Sequence, residues 1–381
     1  MKITLPLVGL GTVLLLAWLP SAGFAGVITT TKLDSLVHAM VLPDSEDPIH
    51  NALLLVESPS QRWTGAAGMA DGVGEPMTVD HKFKIASIAK TLTATVILQL
   101  IEEDKLGLND TLGEILASSE VNLDSLHVLE GQTYGKRITV EQLLGQTSGL
   151  MDYMEHPRFM ADIGADPTFQ WSPEAILARH IAYGMHNEVN FPPGEGFQYA
   201  DPNYVLLGMV IEKVTGAPLG EQYRQRIFDR LGMVNSYLEY YEDPRGDNPL
   251  SHAFLGLLDI SVNVNTSFDW AGGGIVSTAG ELTLFFRALL EGRLFEQEAT
   301  LDGMLAAAER GYGLDDIAYG YGIMKRQING RIFYGHGGAY DCDVFYCPAE
   351  KIGVCIVLNQ MNTHGRRDEF LQRAVQLAVS E

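Results

Sequence analysis

Apolar positions recur along this chain with two periods, and which period rules depends on where one looks. From Ser87 to Leu100 the residues Leu92, Val96 and Leu100 fall at i, i+4 and i+8 with Ile97 beside them, and no Gly or Pro interrupts before Gly107. That spacing predicts a helix with one apolar stripe. Thr30 to Met40 reads as an earlier helix. Between the two, Asn51 to Glu57 and Arg62 to Ala70 read as strands joined by the Ser58-Pro59-Ser60 turn.

Residues 112–270 read as helical pieces and long loops. Thr139-Val140-Glu141-Gln142 is a capping box, and Ser172-Pro173-Glu174 an N-cap followed by proline. Gln146 to Leu150 reads as a turn. Pro202 to Val214 reads as a helix closed by Gly216, and Thr278-Ala279-Gly280-Glu281 as a capping box opening a helix through Leu290. From Tyr319 the pattern turns β-rich. Tyr319 to Gln327, Arg331 to Gly335, Ala339 to Tyr346 and Ile352 to Asn359 read as strands split by Asn329-Gly330, Gly337-Gly338 and Pro348 to Lys351, before a last helix from Arg366 to Val379. No repeat or low-complexity linker is present. Strands at both ends and helices between predict an α+β fold: one antiparallel sheet from both chain ends, flanked by helices, with an all-helical insertion. The sheet part is expected at about 26–82 and 275–381, the helical part at about 83–274.

The amino terminus changes the picture of where the protein works. Lys2, an apolar run from Ile3 to Leu19 and small residues up to Ala25 describe a secretory signal peptide over 1–25, leaving a domain over 26–381. An uncleaved anchor is the alternative; Pro6, Gly9, Gly11 and the short apolar run argue against it. The expectation is an exported protein, periplasmic or secreted, with no stable membrane span. The 381 residues carry a net charge of −22 and no basic block, which excludes nucleic acid and anionic membrane as natural partners. Cys342, Cys347 and Cys355 are an odd set, and the first two face opposite sides of one predicted strand, so no disulfide scaffold is expected. H-E-x-x-H, paired C-x-x-C, G-x-x-x-x-G-K-[ST] and G-x-S-x-G are all absent. The chain is therefore read as needing no metal or other cofactor.

Ser87-Ile88-Ala89-Lys90 opens the helix whose stripe was described first. Residues three apart share a helix face, so the hydroxyl and the amine can touch in the first turn, where free N–H groups favour an anion. The bland alternative is a chance pattern with two fixed positions. Tyr199 lies in a Pro/Gly-rich loop from Phe191, and a phenol beside Ser87 and Lys90 can carry a proton if the ammonium lowers its pKa. It can equally be a loop anchor. Asp201, before Pro202, reads first as an N-cap. His336-Gly337-Gly338 gives a strand with small residues that a substrate backbone can approach, or a glycine-rich turn with an incidental histidine.

Taken together and in order, these stretches resemble the penicillin-recognising serine hydrolases, the family of class C β-lactamases, DD-carboxypeptidases, D-aminopeptidases and family VIII esterases. Ser87 to Lys90 matches their S-x-x-K, Tyr199-Ala200-Asp201 falls at Y-x-N, and His336-Gly337-Gly338 falls at K-T-G or H-x-G. Leu143 to Leu150 resembles LLxHTSGL, and Gly273 to Ala279 resembles GG-x-x-STA. The resemblance implies a β-lactamase/transpeptidase-like fold with the site between sheet and helical region. It implies Ser87 as acylated nucleophile and Lys90 and Tyr199 sharing base and acid duties. The backbone N–H groups of Ser87 and Ala339 would form the oxyanion hole, and Asp201, His336, Gly337 and Gly338 would line the substrate.

Three departures bear on the substrate. Asp201 stands for Asn, His336 for Lys and Gln146 for His. The first adds a negative charge and the second removes a permanent cation, which disfavours substrate carboxylates and hence true β-lactamase activity. A histidine with an ordinary pKa near 6.5 would regain its charge as pH falls from 8 to about 6. The expected function is a serine hydrolase of amides or esters, D-peptidase or esterase, acting on a small-molecule or peptide substrate, including cell-wall-derived ones. The rival is a non-catalytic or slowly deacylating penicillin-binding module.

Overall fold

The strand signals at the two chain ends meet in one sheet. The computed structural model describes residues 22–309 and 317–379. After α1 (Ala22–Met40) come β1 (Asn51–Glu57) and β2 (Arg62–Gly68), and from the other end β3 (Ile317–Tyr319), β4 (Met324–Ile328), β5 (Arg331–Gly338), β6 (Cys342–Cys347) and β7 (Ile352–Val357). Their order is β3-β4-β5-β6-β7-β1-β2, antiparallel throughout. β1, one in from the sheet edge, reads Asn-Ala-Leu-Leu-Leu-Val-Glu and is buried along its whole length, because both of its faces are covered. Leu54 and Val56 pack with Phe345, Ile356, Phe370 and Leu371 under α1 and α6 (Arg366–Ala378). Leu53 and Leu55 point the other way, to Val344, Cys355 and Phe285, toward the helical region. Each such leucine contributes about 1.5–3 kcal/mol by leaving water.

Cys342 lies in the second of these cores and Cys347 in the first, so the two thiols face opposite sides of β6 and all three cysteines are free. α1 begins at Ala22, earlier than the apolar pattern suggests. The remainder of the segment read as a signal peptide lies outside the described residues.

Gly337 and Gly338 do not form the turn expected of them. They are the last residues of β5, and the turn falls at 339–341. Both glycines serve close approach instead. A Cβ on Gly337 would lie 1.7 Å from the Arg367 guanidinium and 2.5 Å from the Asp343 carboxylate; one on Gly338 would lie 2.4 Å from the Ile85 carbonyl. Arg367, in the first turn of α6, donates from Nε to Asp343 Oδ1 at 2.9 Å, and Asp343 is fully buried. Arg367→Ala leaves that carboxylate without its cation and is expected to destabilise the fold by about 3–5 kcal/mol. Urea denaturation checks this, and an unchanged midpoint would show that the pair contributes nothing.

The helical part is built around α2 (Ala89–Glu102), which packs between α4 (Pro202–Thr215) and the 270–274 segment. α3 (Val140–Leu144) starts with the expected box, Thr139 and Gln142 each taking the other's N–H. At α5 (Ala279–Leu290) only half of the expected box forms. Thr278 accepts the Glu281 N–H, while the Glu281 carboxylate takes Asn235 N and the Ser236 hydroxyl. Gly216 closes α4 in the left-handed conformation, φ 69°.

Candidate active site

Ser87 owes its position to a strained residue before it. The short strand Phe83–Lys84 pairs with Ile275–Ser277. Ala86 then turns left-handed at φ 46°, a costly conformation for a residue with a Cβ, and throws the chain into a 3-10 turn over Ala86–Ile88 that runs into α2. Ser87 is the one residue between His81 and Leu100 that is not buried. Ala86 also packs against Tyr340, and Gly338 lies against Ala86, so the end of β5 and Ala339 meet the turn that carries the nucleophile.

Lys90 is fully buried. Its Nζ lies 3.0 Å from Ser87 Oγ, 2.9 Å from the Gly272 carbonyl and 2.6 Å from Asp201 Oδ1. The first two contacts are hydrogen bonds and the third is an ion pair. The Tyr199 ring centroid is 5.0 Å away. Gly272 follows Trp270, held at φ 26°, and the neighbouring Ala271 carbonyl is tied to α2 by the Thr93 hydroxyl at 2.6 Å.

Asp201 is not the N-cap its place before Pro202 suggests. Its own backbone is helical, and its side chain makes no capping hydrogen bond. The first N–H groups of α4 are already used, Asn203 N by Ala200 O and Tyr204 N by Asp201 O, and proline has none. The buried ammonium is the stronger partner, and the carboxylate turns to it as an ion pair.

Tyr199 lies beside Ser87, whose hydroxyl acts to lower the phenol's pKa. Its pKa is not lowered by Lys90. Burial first, and the Asp201 charge second, push it well above the usual phenol range. His336 likewise departs from expectation. It is fully buried, with Nδ1 2.7 Å from the Gly337 carbonyl and Nε2 3.2 Å from the Tyr319 hydroxyl. Nδ1–H therefore donates to the carbonyl and Nε2 accepts from the phenol. Burial and then the Lys90 charge lower its pKa to about 3. It stays neutral down to pH 6, so it restores no cation there.

Several site residues carried no signal that periodicity or spacing could reveal. Asp152 is buried, and burial followed by the Asp201 charge raises its pKa to about 8. Asp269 is raised to about 7 by the same two causes in the same order. Tyr319 packs edge-on against Tyr199 with ring centroids 5.7 Å apart. Among the described residues no group of three or more His, Cys, Asp or Glu side chains is arranged to hold a metal ion.

The chain is similar to known proteins over most of its length. The Beta-lactamase family profile matches residues 51–378, and the chain belongs to that family. A D-aminopeptidase of Brucella anthropi is 26% identical over 303 residues, 74% of this chain and 51% of that protein. A lovastatin esterase of Penicillium rubens is 28% identical over 264 residues, 63% of each chain. A crystal structure of a D-stereospecific amidohydrolase from Streptomyces sp. superposes with a TM-score of 0.73 at 29% identity, covering 90% of this chain and 97% of that one. The chain spans about half the length of the D-aminopeptidases it matches.

Proposed function

We propose that this protein is an exported serine hydrolase that forms an acyl-enzyme on Ser87 from amides or esters, with D-amino-acid amides and short peptides bearing a free amine as its substrates. The observation that carries the reading is the 3.0 Å contact between buried Lys90 Nζ and half-buried Ser87 Oγ. Ser87 Oγ attacks the scissile carbonyl and the Oγ–C bond forms. The serine proton passes to the Tyr199 oxygen while the Tyr199 proton passes to the leaving nitrogen or oxygen as its bond to carbon breaks. A phenol whose pKa is held high suits this relay, since no phenolate accumulates. Lys90 stabilises the charge that develops on Oγ; the N–H groups of Ser87 and Ala339 receive the carbonyl oxygen. Water then repeats the sequence in reverse. Intact-mass detection of an adduct on Ser87, using D-alanine p-nitroanilide, p-nitrophenyl butyrate and a penicillin, tests the reading. An absence of any adduct and of any turnover would sink it. An ester reading is kept open by the neutral His336 and by the lovastatin esterase relative.

The charges around Ser87 support amine-bearing or neutral substrates over those with a carboxylate. Asp152, Asp201 and Asp269 face Lys90, Lys84 is taken by Glu239, and His336 adds no charge. With raised pKa values, Asp152 and Asp269 are still partly protonated at pH 6 and lose those protons toward pH 8, adding negative charge. We predict that kcat/KM for p-nitrophenyl succinate divided by that for p-nitrophenyl butyrate falls about 3- to 30-fold from pH 6 to 8, a charge acting at several ångströms in a partly screened site. The fall should persist in His336→Asn and shrink in Asp152→Asn. A flat wild-type ratio, or an Asp152→Asn profile identical to it, contradicts the assignment.

A further inference from the structure

Gln146 stands in the stretch Leu143-Leu144-Gly145-Gln146-Thr147-Ser148 and has no role in the reaction as described. It is fully buried and held in the left-handed conformation at φ 58°. Its backbone carbonyl accepts the Gln198 N–H at 2.9 Å, and its side-chain Oε1 accepts the Ala200 N–H at 3.0 Å. One residue thus takes the N–H groups immediately before and after Tyr199. The same Oε1 also takes Asn203 Nδ2, whose own oxygen is held by the Ser148 hydroxyl. The left-handed turn is what lets backbone and side-chain oxygens of a single residue point at one neighbouring segment. The remaining group, Nε2, makes no close hydrogen bond among the described residues.

We infer that Gln146 is a positioning residue that clamps the backbone on both sides of Tyr199 and sets the reach of its hydroxyl to Ser87. The Phe191–Tyr199 loop has no regular secondary structure of its own, so its geometry is dictated by what it is tied to. Five residues earlier, Gly194 N bonds the Thr147 carbonyl at 2.7 Å, and Gln146 supplies the two bonds nearest the phenol. Displacements of about 1 Å at such a group cost on the order of 100-fold in rate.

The inference rests on the proposed role of Tyr199, and its test separates the two. Gln146→Met keeps the volume and loses the side-chain acceptor; Gln146→Glu keeps an acceptor oxygen. In Gln146→Met, amide hydrogen exchange at Ala200 should quicken at least tenfold, and kcat for p-nitrophenyl butyrate should fall about 10- to 100-fold with KM changed less than threefold. Gln146→Glu should recover most of kcat. In a Tyr199→Phe background, Gln146→Met should cost nothing further, because it acts through the missing hydroxyl. Faster exchange with unchanged kcat, or an additive loss in that background, overturns the inference. If Tyr199→Phe alone is as active as wild type, the catalytic reading of Tyr199 fails, and this one with it.

Discussion

Ser87→Ala is expected to abolish turnover of p-nitrophenyl butyrate, to below one part in about 10⁵ of wild type, and Lys90→Ala to lower it nearly as far. Serine and lysine act as a unit here: the ammonium touches the nucleophile's oxygen at 3.0 Å and stabilises the charge that develops on it, so removing either partner disables the attack. The two variants differ in stability. Ser87→Ala removes one half-exposed hydroxyl and should leave the melting temperature nearly unchanged. Lys90→Ala leaves the Asp201 carboxylate facing Asp152 and Asp269 without a cation, which costs about 3–5 kcal/mol. Lys90→Ala combined with Asp201→Asn should regain much of that stability and none of the activity. Measurement of kcat/KM and urea midpoints on wild type and the three variants decides the matter. Wild-type turnover in Ser87→Ala would remove the mechanism outright, and a recovered rate in the double variant would show that Lys90 acts only by holding Asp201.

Local rules made much of this arrangement readable in advance, and their reach marks where it stopped being readable. The stripe of Leu92, Val96 and Leu100 and the Asn329-Gly330 turn are short-range signals, and the helix and hairpin they predict are present. The sheet from both chain ends follows from where those signals fall. What failed were readings that hinge on a competition between partners far apart in sequence. Asp201 has every local reason to cap its helix, yet the first N–H groups of α4 are taken by the Ala200 and Asp201 carbonyls, and the carboxylate turns to the buried ammonium of Lys90 from another helix. His336 looks like a titrating substitute for lysine until burial against Tyr319 and beside Lys90 is known. Gly337 and Gly338 look like a turn because their close approach to Arg367 and Ile85 spans the fold. Asp152 and Asp269 had no local pattern at all, and Gln146 showed only a departure from a motif; only the packed structure shows which groups the three face.

Tyr199→Phe is expected to lower kcat by roughly 10²–10⁴, the range of general acid–base contributions, with the fold intact. The ring keeps its edge-on contact with Tyr319 at 5.7 Å and its place 5.0 Å from Lys90 Nζ, so the packing that the residue supplies survives the change. What is lost is the one oxygen able to take the Ser87 proton and give another to the leaving group. The size of the loss should therefore depend on the leaving group. A p-nitrophenolate leaves without needing a proton, so p-nitrophenyl butyrate should sit near the 10² end. An amide nitrogen must be protonated to leave, so D-alaninamide should sit near the 10⁴ end. Lys90 cannot substitute in this step while it is paired with the Asp201 carboxylate and donates to the Gly272 carbonyl. The comparison of Tyr199→Phe with wild type on both substrates, alongside melting temperatures, tests the relay. Equal losses on ester and amide would place Tyr199 at serine activation alone, and a rate within threefold of wild type on both would leave it a loop anchor.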